Sequence, residues 1–191
     1  LFEEAWTAYA QGNFNRALGK LVTYKSPDLH FVFNPEVDVL RAQSFLALCL
    51  YQDAADVVQE FGSTYGPITK ELKQIIETHR SDLSYFYQLG KKAFRTSLDS
   101  KEDLNRLMSR FVRSPYFQDQ IEVENDTSAE ESAIERWHRG DPDQGFAGFL
   151  KQVLIWRKRT AMFLGGMFVK NSLLDYHDVL VANFEKVSFI K

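Results

Sequence analysis

The stretch Ala8-Tyr9-Ala10-Gln11-Gly12-Asn13-Phe14-Asn15-Arg16-Ala17-Leu18 decides the fold, because it joins two short helical patterns through a glycine turn. Apolar residues recur at helical spacing on both sides of that turn. Gly12 can take the left-handed conformation that ends a helix. A turn of two or three residues makes the two helices antiparallel, and the small side chains of Ala5 and Ala17 allow them to cross closely.

The same arrangement returns 37 residues later, around the turn Leu48-Cys49-Leu50. Five pairs of positions coincide in size class: Ala5 with Ala42, Gly12 with Cys49, Phe14 with Tyr51, Ala17 with Ala54, and Leu21 with Val58. Any antiparallel hairpin needs small crossing residues, so a generic helical bundle is the alternative, but two matches in succession favour a repeat. Cys49 in place of glycine predicts a hairpin that closes without a left-handed glycine.

These residues resemble the tetratricopeptide-repeat family. The stretch 8–18 has its small residue in the first helix, its glycine at the turn, an aromatic residue two positions later and alanine at the crossing. Pro67 matches the proline that often closes the repeat. The proline-bounded segment 26–35 lengthens the usual period of about 34 residues, which is a departure, as is Cys49. The resemblance implies an all-α fold of TPR-like antiparallel helical hairpins, an α-solenoid, and a role in binding other proteins.

The stretch Leu40 to Ala54 is also similar to tetratricopeptide proteins of bacterial cell-envelope machinery, including gliding-motility complexes. That similarity implies a location in the bacterial periplasm or at the outer membrane.

Further helices follow the two hairpins. The predicted organisation is residues 1–97 as TPR-like hairpins and 98–191 as an additional helical region with a long C-terminal helix, packed together as one unit of a longer protein. Gly66-Pro67 is expected to end the second hairpin. The linker 25–35 is expected to tuck Phe31 and Phe33 under the hairpins.

The second half of the sequence carries four weaker signals. The acidic stretch Glu122 to Glu131 predicts a solvated face or loop, with a cation site as the less favoured alternative. Gly140-Asp141-Pro142-Asp143 predicts a break before a helix or helix pair of some 45 residues. Gly165-Gly166 predicts close helix packing or a kink. Apolar spacing by three and four from Leu173 to Val187 predicts a seam for a partner helix, with possible self-association through 173–191.

Composition and motifs disfavour several functions. The net charge of −3 argues against a nucleic-acid partner, and no apolar run is long enough for a transmembrane span. No phosphate-binding, hydrolase or metal motif occurs, the four histidines lie far apart, and Cys49 is the only cysteine. We therefore expect no cofactor, no metal site and no catalytic residues, and we expect that the protein is not an enzyme.

The leading interpretation is a protein–protein interaction scaffold that binds a peptide or helix of another protein in a concave groove. The predicted groove residues come from the first helix of each hairpin: Phe2, Trp6, Tyr9, Val39, Gln43 and Leu46. Trp6 and Tyr9 could equally belong to the core between hairpins, and their exposure decides between the two. The alternatives are a structural assembly subunit that oligomerises through its C-terminal helix, and a helical enzyme whose site has no recognised motif.

Overall fold

Eight α-helices and no strand are found in residues 1–24, 26, 33–96, 103–138 and 144–190, which are those that the computed structural model describes. In chain order they are α1 Phe2–Ala10, α2 Phe14–Tyr24, α3 Glu36–Ala47, α4 Tyr51–Thr78, α5 Leu83–Arg95, α6 Asp103–Phe111, α7 Pro115–His138 and α8 Gln144–Ser188. The predicted all-α class is confirmed.

The chain divides into two compact units. Unit 1 comprises Leu1–Gln74 and Asp175–Lys191, and unit 2 comprises Ile75–Leu174. The predicted division at residues 97 and 98 is therefore not the one the structure makes. Both division points fall inside long helices, α4 and α8, where the helical pattern continues and no turn signal marks a boundary.

Left-handed turn residues close both hairpins of unit 1. Gly12 has a φ of 74° and Cys49 has a φ of 59°. The second turn contains no glycine, as predicted, but it still has a left-handed residue, because Cys49 adopts that backbone conformation itself. A residue with a Cβ is strained there, so the second turn is held by its hydrogen bonds and by the packing of its helices.

The two turns also share their backbone hydrogen bonds. Asn13 N–H donates to the Ala8 carbonyl at 2.9 Å, and Leu50 N–H donates to the Phe45 carbonyl at 2.9 Å. Three more pairs of bonds obey the same shift of 37 residues: Gly12 to Tyr9 with Cys49 to Leu46, Ala17 to Asn13 with Ala54 to Leu50, and Gln11 to Thr7 with Leu48 to Ser44. The equivalence of the two turns, predicted from the sequence, therefore holds in the backbone.

The small crossing positions lie in the core of unit 1, as predicted. The exposed fractions of Ala5, Ala17, Ala42 and Ala54 are between 0% and 2%. One apolar cluster contains Ala5 together with Leu21, Val37 and Leu40. A second contains Val39, Ala42, Val57, Val58, Phe61 and Val187. Alanine at the crossings leaves room for the larger side chains to interdigitate on either side.

Pro67 does not end a helix, so the prediction that the second hairpin stops at Gly66-Pro67 is wrong. Helix α4 continues through Pro67 without interruption from Tyr51 to Thr78. Proline within a helix removes one hydrogen bond and costs about 3 kcal/mol. The burial of Phe61, Ile68 and Leu72 on the same helix supplies the apolar packing that outweighs this cost.

The linker prediction concerned Phe31 and Phe33, and Phe31 lies outside the described residues. Phe33 is half-buried and packs edge-on against Tyr65 and Tyr176, with ring centroids 5.7 and 5.3 Å apart. The predicted break at Gly140-Asp141-Pro142-Asp143 also lies outside the described residues.

Close helix packing explains the glycine pair of α8. A Cβ built on Gly166 would stand 2.0 Å from the Leu83 carbonyl oxygen, and one on Gly165 would stand 2.7 Å from the Tyr87 ring. Gly90 of α5 faces Phe117 and Val169 in the same way, at 2.6 and 2.7 Å. Of the two alternatives predicted for Gly165-Gly166, close packing is the one the structure shows.

The acidic stretch Glu122 to Glu131 is helical and not wholly solvated, which corrects the sequence interpretation. The Glu124 side chain is 13% exposed. Its Oε2 accepts a hydrogen bond from the Tyr87 hydroxyl at 2.8 Å and forms an ion pair with Lys91. Glu124 therefore links α7 to α5 inside unit 2.

The apolar seam predicted from Leu173 to Val187 is occupied by the chain itself. Leu173 and Leu180 are 0% exposed, and Val187 is 5% exposed. Val187 and Phe184 pack against α3 and α4 in the core of unit 1. This face is not free for a partner helix, because intramolecular packing has taken it.

Candidate partner-binding groove

Two adjoining grooves lie at one end of the second hairpin in unit 1. The first, of about 460 Å³, is lined by Tyr9 of α1, by Gln43, Leu46 and Ala47 of α3, and by Lys186, Phe189 and Ile190 at the end of α8. The second, of about 650 Å³, crosses the turn into α4 and is lined by Leu46, Tyr51, Ala54, Ala55, Val58, Gln59, Gly62 and Ile190. Leu46 and Ile190 border both grooves, and we call the pair together the hairpin groove.

The structure brings three of the six predicted groove residues together. Tyr9, Gln43 and Leu46 all line the first of the two grooves. Gln43 and Leu46 meet there because residues three apart share a helix face. Leu46 is 39% exposed, and Tyr9 is half-buried.

Phe2, Trp6 and Val39 do not line the groove. Val39 is 3% exposed in the core cluster and presents almost no surface. Phe2 packs on the other core cluster and stands edge-on to Tyr24, with ring centroids 6.1 Å apart. The prediction that Phe2 and Val39 line the groove is therefore wrong. In each of the two helices, the first of the three predicted groove residues packs on a core cluster instead.

Trp6 lies beside the groove and not within the core. Its side chain is 38% exposed and meets Tyr9 edge-on, with ring centroids 5.7 Å apart. Tyr9 in turn meets Phe14 at 5.4 Å. The contacts with Trp6 and Phe14 fix the orientation of the Tyr9 ring, because edge-on ring pairs contribute stabilisation in addition to that from burial of their surface.

Residues at the end of α8 complete the groove, and sequence reasoning missed them. Phe189 is 88% exposed. Lys186 Nζ lies 3.0 Å from Glu36 Oε1, an ion pair that ties the end of α8 to the start of α3. The apolar run Ser188 to Ile190 is visible in the sequence, but no local pattern shows that α8 returns to the second hairpin.

The chemistry of this groove suits apolar contact. Leu46, Tyr51 and Phe189 expose large apolar surfaces around it, and the charge of Lys186, which also lines it, is paired with Glu36. The hydrogen bond with the neighbouring Cys49 thiol raises the pKa of the Tyr51 phenol. Concave apolar sites of this size bind side chains of a peptide or a small ligand.

In unit 2, Glu124, Lys91 and Tyr87 form a buried cluster that joins α7 to α5. Burial acts to raise the pKa of the Glu124 carboxyl, but hydrogen bonds from Lys91 and Tyr87 and the charge of Lys158 outweigh it, so the pKa is lowered. Burial and the Glu124 carboxylate raise the pKa of Tyr87 strongly. Glu124 is therefore held ionised and Tyr87 neutral, as partners in a link between helices.

Among the described residues, no three or more His, Cys, Asp or Glu side chains gather as a metal site would require. Across the same part of the chain, every helix is too short or too polar to cross a membrane.

Comparison with known proteins gives no match: no protein-family model, no curated protein and no solved structure is similar to this chain at a significant level.

Proposed function

We propose that this chain is a protein-binding scaffold whose hairpin groove holds an apolar segment, a peptide or a helix, of another protein. The observation that carries the proposal is the exposure of Leu46 and Phe189, at 39% and 88%, in the lining of one concave site. Apolar side chains exposed together around a cleft are typical of interaction sites.

The tetratricopeptide-like character of the two hairpins supports this proposal. The turns at Gly12 and Cys49 share four pairs of backbone hydrogen bonds, and alanine occupies both crossings of each hairpin. Stacked hairpins of this kind present the first helix of each repeat on one surface. Tyr9 of α1 and Leu46 of α3, which are equivalent under the 37-residue shift, both face the hairpin groove.

Affinity capture with the intact protein, followed by mass spectrometry, tests the proposal. Leu46→Glu and Phe189→Glu each place a carboxylate in the groove and should abolish capture of the same protein. Val22→Glu is the matched control, because Val22 is 67% exposed on α2 and is not among the groove residues. Equal capture by wild type and both groove variants would rule the groove out.

Assembly through residues 173–191 is the less favoured function. Val187 is already buried and packs with Phe184 against α3 and α4, so association through that part of the face would have to separate α8 from these two helices. Light scattering on the intact protein addresses this directly, and a dimer that persists in Leu46→Glu and Phe189→Glu would revive it.

A further inference from the structure

The last residues of α8 are attached to the rest of unit 1 by a small apolar contact. Val187 is buried, Phe184 and Ile190 are partly buried, and all three belong to the cluster that α8 forms with α3 and α4. The Phe184 ring meets the Phe61 ring at a centroid distance of 4.8 Å. Phe189 is 88% exposed and contributes little to this attachment.

One polar side chain is buried on the same face of α8. Asn183 is 1% exposed and lies between Leu180 and Val187, which are also buried. Its Nδ2 donates a hydrogen bond to the Val179 carbonyl at 2.8 Å, but its Oδ1 is buried without a hydrogen-bond partner in the part of the chain that the structure describes. A buried acceptor that stays unpaired costs the free energy of its lost hydration. The docked position of α8 carries this cost, which is recovered when Oδ1 meets water.

The ion pair at the end of α8 does little to offset that cost. Lys186 Nζ lies 3.0 Å from Glu36 Oε1, but the two side chains are 45% and 40% exposed. Exposed ion pairs contribute little, because water screens the charges and two long side chains have to be ordered. Segments with few buried apolar contacts open locally at a lower free-energy cost than the core does.

The same end of α8 supplies part of the lining of the hairpin groove. Lys186, Phe189 and Ile190 line the first groove, and Ile190 also lines the second. A shift of Ile190 away from α3 therefore widens both grooves at once.

We propose that residues 184–190 are a movable part of the groove lining, which separates from α3 and α4 while the two hairpins stay folded. Admission of a partner through this movement rests on the function proposed above, whereas the movement itself does not. Because only the open form admits the partner, the apparent affinity is reduced in proportion to the open fraction. Asn183 raises that fraction, because its unpaired oxygen disfavours the closed form.

Hydrogen exchange of the full chain without a partner tests the movement, measured by mass spectrometry on fragments that cover 184–190 and 54–61. The amides of 184–190 should exchange faster than those of 54–61. Asn183→Leu should slow exchange at 184–190 by about 10-fold, because leucine is similar in size and leaves no acceptor unpaired. Asn171→Leu is the matched control: it is the same replacement at an exposed position of the same helix, and it should leave exchange at 184–190 unchanged.

A second variant weakens the attachment from the side of α3. Glu36→Lys places an ammonium group opposite Lys186 without altering α8, and it should speed exchange at 184–190 while leaving 54–61 unchanged. The movement is refuted if 184–190 and 54–61 exchange at equal rates in the wild type, or if Asn183→Leu and Glu36→Lys do not shift exchange at 184–190 in opposite directions.

Titration of the protein captured through the hairpin groove tests the admission of a partner. Asn183→Leu should weaken its binding by about 10-fold, in step with the smaller open fraction, and Asn171→Leu should leave it unchanged. Slower exchange with unchanged binding would overturn the role of the movement in admission. If Leu46→Glu leaves capture unchanged, the groove function itself fails, and the exchange rates still decide whether residues 184–190 move.

Discussion

Replacing Gly166 by alanine should destabilise the protein, although the same change in most helices is stabilising. An alanine Cβ at this position would lie 2.0 Å from the Leu83 carbonyl oxygen and 2.9 Å from its carbon, whereas ordinary contact begins at 3.4 Å. The helices would have to separate by 3.4 − 2.0 = 1.4 Å. Because the clash is with backbone, no side chain can rotate away to relieve it.

The expected magnitude follows from two opposing effects. Overpacking of this kind costs about 1–3 kcal/mol, and a contact with backbone places it near the upper limit. The gain in helix propensity from glycine to alanine is about 1 kcal/mol. The net loss in the free energy of unfolding is then about 2 kcal/mol, which at a urea m value of about 2 kcal/mol/M lowers the midpoint by about 1 M.

Two other glycines of α8 provide the comparison. A Cβ on Gly148 meets nothing within 4 Å, so Gly148→Ala should raise the urea midpoint. Gly165→Ala should fall between the two, because its closest neighbour is the Tyr87 ring, which can shift. Urea titrations followed by circular dichroism at 222 nm measure all three. A midpoint for Gly166→Ala at or above that of wild type would refute the packing argument.

Four further substitutions have expected outcomes. Glu124→Gln should lower the free energy of unfolding by about 2 kcal/mol at pH 7 by weakening a charged hydrogen bond. The pKa of Glu124 is lowered in the folded protein. The stability that the ionised carboxylate contributes is therefore present above the pKa of the unfolded state and is lost as pH falls through the pKa of the folded state. The urea midpoints of Glu124→Gln and wild type should converge at low pH. Cys49→Gly should raise the thermal midpoint, and Gly12→Ala should lower it. Both positions have a left-handed backbone, and that conformation costs a residue with a Cβ about 1 kcal/mol. Shifts of the same sign in the two variants would contradict this. Ala54→Leu should lower the free energy of unfolding by about 1–3 kcal/mol in urea titrations through overpacking, and an unchanged midpoint would show that the crossing is loose.

Local signals in the sequence predicted the hairpins well. Gly12 and the four alanines act within a few residues of the turns, so their spacing carries the geometry directly. Residue type alone was a poor guide at Cys49. This residue adopts the left-handed conformation at the position equivalent to Gly12, although it is not glycine. Pro67 misled for a related reason: its local preference is real, but the tertiary packing of α4 outweighs it.

Long-range packing could not be predicted. Helix α8 has apolar residues on several sides, and intervals of three and four occur both at 146–167 and at 173–187. The sequence does not show which of these faces the chain covers itself, and the prediction chose the covered one. The groove residues Lys186 and Phe189 were missed for the same reason, since their place beside α3 depends on where α8 returns.

Site-specific photocrosslinking in the native host tests the central claim most directly. A photoreactive phenylalanine analogue is placed at Leu46, at Phe189 or at Val22 of the intact protein, and adducts are identified by mass spectrometry. If the hairpin groove binds a partner, positions 46 and 189 should crosslink to the same protein and position 22 should not. Absence of an adduct from both groove positions, or an identical adduct from all three, would contradict the account.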